Sequence, residues 1–401
     1  MAEENVPADE FIEDNEVDEV VAEDQNSMQQ DFDEEGEGND DGFQGENLVD
    51  MVPDMSVQGF FEHKDSVFTV AINKSNPNMC ASGGGDDLAY IWDRTNGERL
   101  HTLTGHTDSI IAIEWSFDGE YIATGGMDSQ IRVWKMSTGC EFIAALETSD
   151  EVIWISWHPK GHFLAAGCND GSVWMWSLPS GKVANVFYSH TAPCNAGAFI
   201  PPGVGKRLAT VDDMGTAIVW NPASGEAEVR LTSDDQRFDP GNEETAGGWV
   251  CFTSNKEGNV LFLGGSSGKV KVVNLNSRTI LASLETQTES VEKIALCPVL
   301  PIFACASVDG TVALYDSASL KFRKSLPHSE AVVSCEFIPN SPYLLTACGD
   351  CIIRKWDIRT GQLLAEISGH QEPILCMAVA PDGKQVISGS DDKTVLVFNC
   401  E

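Results

Sequence analysis

Residues 106–147, HTDSIIAIEWSFDGEYIATGGMDSQIRVWKMSTGCEFIAALE, decide the fold. "SIIAIEWS" alternates apolar and polar residues as a half-buried strand does, "DGE" turns the chain, and "YIATGG" runs as a second strand. "MDSQ" turns again, "IRVWKM" makes a third strand, "STGC" turns once more, and "EFIAALE" makes a fourth. Four short strands bounded by Gly, Asp and Ser turns read as one antiparallel sheet.

The unit recurs. A bulky residue near the end of each third strand marks the beat at Trp92, Trp134, Trp176, Trp220, Val273, Tyr315, Trp356 and Phe398, at intervals of 42, 42, 44, 53, 42, 41 and 42 residues. A period in this range belongs to units that cannot bury their own faces and must stack on their neighbours. Eight units predict an all-β, eight-bladed propeller, because a ring leaves only short, protected edges. The weak marking of the fifth unit, with Ser267 and Val273, keeps open a count of seven regular blades and one irregular one. After "TVLVF" (394–398) only Asn399, Cys400 and Glu401 follow, so the last unit lacks its fourth strand. "SVQGFFEH" (56–63) has the pattern of an orphan fourth strand and is expected to close the ring, giving a domain over 55–401. The surplus in the 53-residue interval lies in 232–247, a polar stretch with Asp-Pro-Gly that reads as a long surface loop.

The chain holds 62 acidic and 25 basic residues, a formal net charge of −37. Residues 1–54 contain 21 of the acids and no Lys or Arg. That stretch has too few large apolar residues to offset chain entropy, and it reads as a disordered acidic tail. The remaining 41 acids against 25 bases leave the body acidic as well. A field of this sign repels nucleic-acid phosphates and anionic membrane surfaces and favours a basic protein partner. No secretory leader opens the sequence and no apolar run is long enough to span a membrane. The twelve Cys are therefore expected to be reduced thiols of a cytoplasmic protein, with the nucleus as a second location, acting as a monomer. Cys348-x-x-Cys351 spans a turn with no second pair, so neither metal nor cofactor is indicated.

The units share an internal grammar: His106, Thr124, Asp128 and Trp134; His328, Thr346, Asp350 and Trp356; His63, Ser82, Asp86 and Trp92. This resembles the WD-repeat family. The resemblance implies a hydrogen-bonded network inside each blade, structural rather than catalytic. Other units depart from it: Asp170 is kept with Ala166 and Thr148, Asp309 with Cys305 and Tyr315, and His370, Ser388 and Asp392 end in Phe398. The third unit narrows the resemblance. Trp154-x-x-Trp157-His158-Pro159, then Gly167, Asp170-Gly171, Trp174-Met175-Trp176 and Pro179, is similar to the angio-associated migratory cell protein family and its fungal relatives. The resemblance implies a non-enzymatic protein-binding propeller. Fungal members are chaperones that hold the basic N-terminal segment of a large-subunit ribosomal protein on an acidic face. Animal members are associated with cell migration and angiogenesis, which leaves a signalling scaffold as the alternative.

The residues argue independently for an acidic face. Ahead of the first strand of six units stands a carboxylate: Asp65, Asp108, Asp150 with Glu151, Glu289, Glu330 and Glu372. Asp213 and Asp391, in turns after second strands, are expected on the same face. Carboxylates around one mouth focus negative potential and can take Arg and Lys through charge-assisted hydrogen bonds. Asp at this place also serves ordinary turns. Trp154, beside Asp150 and Glu151, reads either as a platform for an Arg side chain or as a ring packed between blades. Gly264–Gly268 matches a nucleophile-elbow string, but a strand follows where a helix is required. Trp356-Asp357-Ile358-Arg359 matches the Trp-Asp-x-Arg box of cullin-ligase substrate receptors and offers a further alternative through the opposite face.

Overall fold

The strands of 106–147 form where their alternation puts them: Ile110–Trp115, Tyr121–Gly126, Gln130–Lys135 and Glu141–Glu147, paired in that order. The computed structural model describes residues 53–201, 205–232, 238 and 247–400. Among these are eight four-stranded antiparallel sheets and no helix. Blades 1 to 7 cover 67–103, 110–147, 152–187, 196–231, 249–284, 291–327 and 332–367, and blade 8 combines 374–399 with 58–60. The fifth unit is a full blade, with a fully buried Val273 in place of Trp.

In each blade the first strand is innermost, and it packs on the first strand of the next blade. The sequence of contacts runs from Val67–Ile72 round to Ile374–Val379 and back to Val67–Ile72, so the circle is closed. Each seam between blades has its own apolar core, eight in all. These cores exist because the second and third strands are apolar on both faces, as the burial of all six residues of Tyr121–Gly126 shows. A sheet of that kind is stable only when covered on both sides.

The ring closes through the N-terminal segment. Gln58–Phe60 pairs antiparallel with Val395–Asn399, Phe60 opposite Val395, and becomes the fourth strand of blade 8. The paired segment is shorter than the 56–63 expected. Phe60 is buried at the seam with blade 1, stacked on Trp92 with ring centroids 5.5 Å apart and tilted against Tyr90 at 5.2 Å. The disorder expected of 1–54 concerns residues that, up to 52, lie outside the described set. So does most of the loop 232–247. Phe238 of that loop is described, and it is buried in the core between blades 4 and 5.

Truncating Phe60 to Ala removes a full ring from the closing seam and should cost about 3–5 kcal/mol of unfolding free energy, measured by chemical denaturation. The exposed neighbour Phe61, truncated in the same way, should cost less than about 1 kcal/mol.

Candidate functional site

One backbone hydrogen bond fixes the geometry of the mouth. After each second strand the turn donates an N–H to the residue ahead of the first strand. Gly85 donates to Ser66, Met127 to Ser109, Asn169 to Glu151, Asp213 to Pro193, Ser266 to Gly248, Val308 to Ser290, Gly349 to Ala331 and Asp391 to Pro373, all at 2.8–3.0 Å. This bond sets the equivalence of positions around the ring. Immediately before the acceptors stand Asp65, Asp108, Asp150, Ala192, Gly247, Glu289, Glu330 and Glu372. Six blades therefore carry a carboxylate at one equivalent place. They are consecutive around the ring: blades 6, 7, 8, 1, 2 and 3. Asp213 and Asp391 are themselves donors of the turn bond and occupy one equivalent place in blades 4 and 8.

Asp65, Asp108, Asp213, Glu289, Glu330, Glu372 and Asp391 are exposed; Asp150 and Glu151 are half-buried. Asp65, Asp108 and Asp150 each accept the next residue's N–H, at 2.9, 2.7 and 2.8 Å, so part of each carboxylate serves its turn. Ser66 Oγ donates to Asp391 and Asn195 Nδ2 to Asp213 (3.2 Å). The side chains of Glu289, Glu330 and Glu372 accept no hydrogen bond from the described residues, and their charge is open to a partner. Like charges feel each other across a seam. Burial and the charges of Asp108, Asp86 and Asp128 raise the Asp87 carboxyl above its ordinary range. At the seam of blades 8 and 1, Asp65, Glu372 and Asp391 share a cavity of about 840 Å³ with Asp54, Asp392 and Phe61.

Trp154 does not belong to this surface. It is 8% exposed, and its Nε1–H donates to Cys194 O at 2.9 Å, in the next blade. A Cβ on Gly167 would come within 2.2 Å of the indole and one on Gly197 within 2.0 Å. The ring is a wedge between blades 3 and 4, in a slot left by two glycines.

The internal networks vary by blade. In blade 2, His106 Nδ1–H donates to Asp128 (3.0 Å) and Nε2 accepts from the Thr124 hydroxyl (2.7 Å), with Trp134 buried beside them. Blade 7 departs from this. His328 Nδ1 turns to Leu326 O (3.2 Å), while Asp350 pairs with Arg354 at 2.7 Å. Thr346 still links His328 (2.8 Å) to Trp356 (3.1 Å). Arg354, on the third strand, takes the carboxylate that pairs with the equivalent His in blades 1, 2, 4 and 8. Burial and the Arg354 charge lower the His328 pKa to about 4. Blade 4 holds a network that the sequence reading missed: His190 to Asp212 (2.7 Å) and Thr210 (2.7 Å), with Trp220 Nε1–H donating to Thr210 (2.8 Å). Its Asp is the residue that directly follows the second strand, Arg207–Val211, just ahead of the turn. In blade 6, Gln287 stands where His would, donating to Cys305 O and Thr311 O.

The WD domain, G-beta repeat family matches residues 55–93, 97–135, 320–357 and 361–399. The chain is 73% identical to a WD repeat-containing protein of Schizosaccharomyces pombe over all of both chains. It is 30% identical to the angio-associated migratory cell protein of Homo sapiens over 86% of this chain and 80% of that one. The chain belongs to the WD-repeat family of the angio-associated migratory cell protein. Among solved structures, that of Chaetomium thermophilum Sqt1 bound to the N-terminus of the ribosomal protein L10 matches with a TM-score of 0.79 and 31% identity, covering 87% of this chain and 100% of that one.

Two further features qualify this WD-repeat ring. Arg359 of the Trp-Asp-x-Arg string is exposed, but its guanidinium is held by Asp357 at 2.6 Å and lies over Tyr343. In the channel, a cavity of about 400 Å³ is lined by Lys74, Lys293, Glu114 and Glu336. Glu114 accepts the Trp157 N–H (2.8 Å) and Glu336 the Val379 N–H (3.0 Å), each from the next blade. For Glu114 the sequence signal was available: a single Glu within the otherwise apolar first strand Ile110–Trp115.

Burial pushes the Glu114 carboxyl up to about 7, against the opposing effects of the Trp157 N–H and the Lys74 charge. The native state thus holds this proton up to about pH 7, while the unfolded chain releases it near 4.5. The native state binds more protons in that window, so stability falls as pH rises through it. Glu114→Gln keeps the acceptor and removes the titration. Above pH 7 it should be the more stable protein, by about 3 kcal/mol, and the gap should close towards pH 4.5 when both are unfolded by denaturant.

Proposed function

We propose that this propeller is a non-enzymatic chaperone that masks a basic segment of a large-subunit ribosomal protein during ribosome assembly. The observation that carries the reading is the unbroken arc of six carboxylates at equivalent positions on one face, with Asp213 and Asp391 on the same turns. A related propeller bound to the N-terminus of ribosomal protein L10 supports the choice of partner. The mechanism is electrostatic masking. A basic segment destined for RNA binds any polyanion until it reaches its site. Carboxylates on a rigid, low-dielectric rim offer that segment charge-assisted hydrogen bonds and cover its cations in the meantime. The protein would do this as a monomer in the cytoplasm, without touching nucleic acid, which its own field repels. The ligase alternative is disfavoured by Arg359, whose cation is already paired with Asp357.

The test is binding of a peptide with the sequence of the cognate L10 N-terminus to the full chain. Affinity should fall steeply with added salt. Reversing Glu330 and Glu372 together to Lys should weaken low-salt binding about tenfold or more while leaving the melting temperature nearly unchanged. An affinity that is equal at low and high salt overturns the mechanism. A pull-down from lysate that recovers no ribosomal protein overturns the choice of partner.

A further inference from the structure

Phe61 is 67% exposed, although it follows directly on the buried Phe60 of the closing strand. Its ring forms a wall of the cavity at the seam of blades 8 and 1. The apolar backing of that cavity is Leu396, itself buried. Apart from Gly369 the rest of the lining is polar, and half of it is acidic (Asp54, Asp65, Glu372, Asp391 and Asp392); Lys393 is its one Lys or Arg. One side of the ring lies over Gly59 beside Leu396, and the other is left to solvent. The core at this seam is already filled by Phe60 against Trp92 and Tyr90.

The chemistry of the wall restricts what fits it. A purely apolar side chain would cover Phe61 but strip water from the carboxylates without replacing it. An ammonium would satisfy one carboxylate as a point charge and make little use of the ring. A guanidinium is planar, weakly hydrated and carries five donors in a fork. It can stack on an aromatic ring such as Phe61 while its donors turn to the carboxylates that line the same cavity. Charge complementarity therefore selects the occupant. We infer that the cavity walled by Phe61, Asp65 and Glu372 is an arginine-selective subsite, which sets the register of the basic segment on the acidic face. The inference rests on the reading that this face takes a basic segment, and it adds what a uniform acidic rim would not give, discrimination between arginine and lysine.

The experiment uses the full chain and two synthetic peptides of one sequence, with arginine or lysine at every cationic position. At low salt the arginine peptide should bind about five- to thirtyfold more tightly, as expected for one desolvated cation–π contact with a bidentate carboxylate. Phe61→Ala should bring the two peptides to within about twofold of each other while the salt dependence persists. Phe61→Tyr should restore the preference. Glu372→Gln, a second variant that leaves the ring in place, should weaken the arginine peptide more than the lysine peptide. Salt-sensitive binding with no arginine preference, or a preference unchanged in Phe61→Ala, overturns this subsite and leaves the electrostatic reading standing. Binding of neither peptide, or binding insensitive to salt, overturns both.

Discussion

The whole structure depends on covering sheets that are apolar on both faces. No blade of this chain can satisfy that requirement alone, and each seam solves it with a separate core. The solution holds only if the last seam is covered too, which falls to three residues, Gln58–Phe60, paired with Val395–Asn399. Closure also produces the functional geometry. Because every blade enters the ring through the same backbone bond, from the turn to the residue ahead of the first strand, a residue type placed there recurs on one face of the ring. A carboxylate at that place costs one turn little. Six in succession make a field.

The fold separates its acids into two populations that the sequence places side by side. Asp391 and Asp392 are adjacent, yet Asp391 is exposed on the rim while Asp392 turns inward to His370 at 2.8 Å. Burial alone would raise the Asp392 carboxyl; the hydrogen bonds from His370 and Thr394 instead hold it down at about 2. Asp86 and Asp128 play the same inward role towards His63 and His106. The inward acids are consumed by the blade. The outward ones, above all Glu289, Glu330 and Glu372, keep their hydrogen-bonding capacity for something outside it.

The period, the closing strand and the positions of the rim carboxylates were legible because each depends on one residue type at a fixed offset in a repeat. What was not legible depends on residues brought together by stacking. Sequence left Trp154 open between a surface platform and a ring packed between blades because its slot is made by Gly167 on the neighbouring strand and by Gly197, 43 residues away in the next blade. The blade 4 network was hidden by extra residues between His190 and Thr210, which break the spacing seen in blade 2 although His190 and Asp212 keep it. In blade 7 the motif was complete in sequence, but Arg354 outcompetes His328 for Asp350, a contest that spacing does not reveal. A charged guanidinium two hydrogen bonds deep is a stronger donor to carboxylate than a neutral imidazole.

The incompleteness of the acidic rim has a consequence of its own. A full ring of eight carboxylates would centre its field on the channel axis and hold a cation there without preferred direction. Ala192 and Gly247 interrupt the ring at blades 4 and 5, leaving the arc of blades 6, 7, 8, 1, 2 and 3. The midpoint of that arc is the seam of blades 8 and 1. Among the described residues, the carboxylates at this place are therefore weighted towards the seam where the chain closes on itself and where Phe61, Asp65, Glu372 and Asp391 line one cavity. A basic chain drawn to these carboxylates meets them off-centre, around a seam that combines Asp65, Glu372 and Asp391 with an exposed aromatic ring, and the break in the ring supplies the direction that symmetry would have denied.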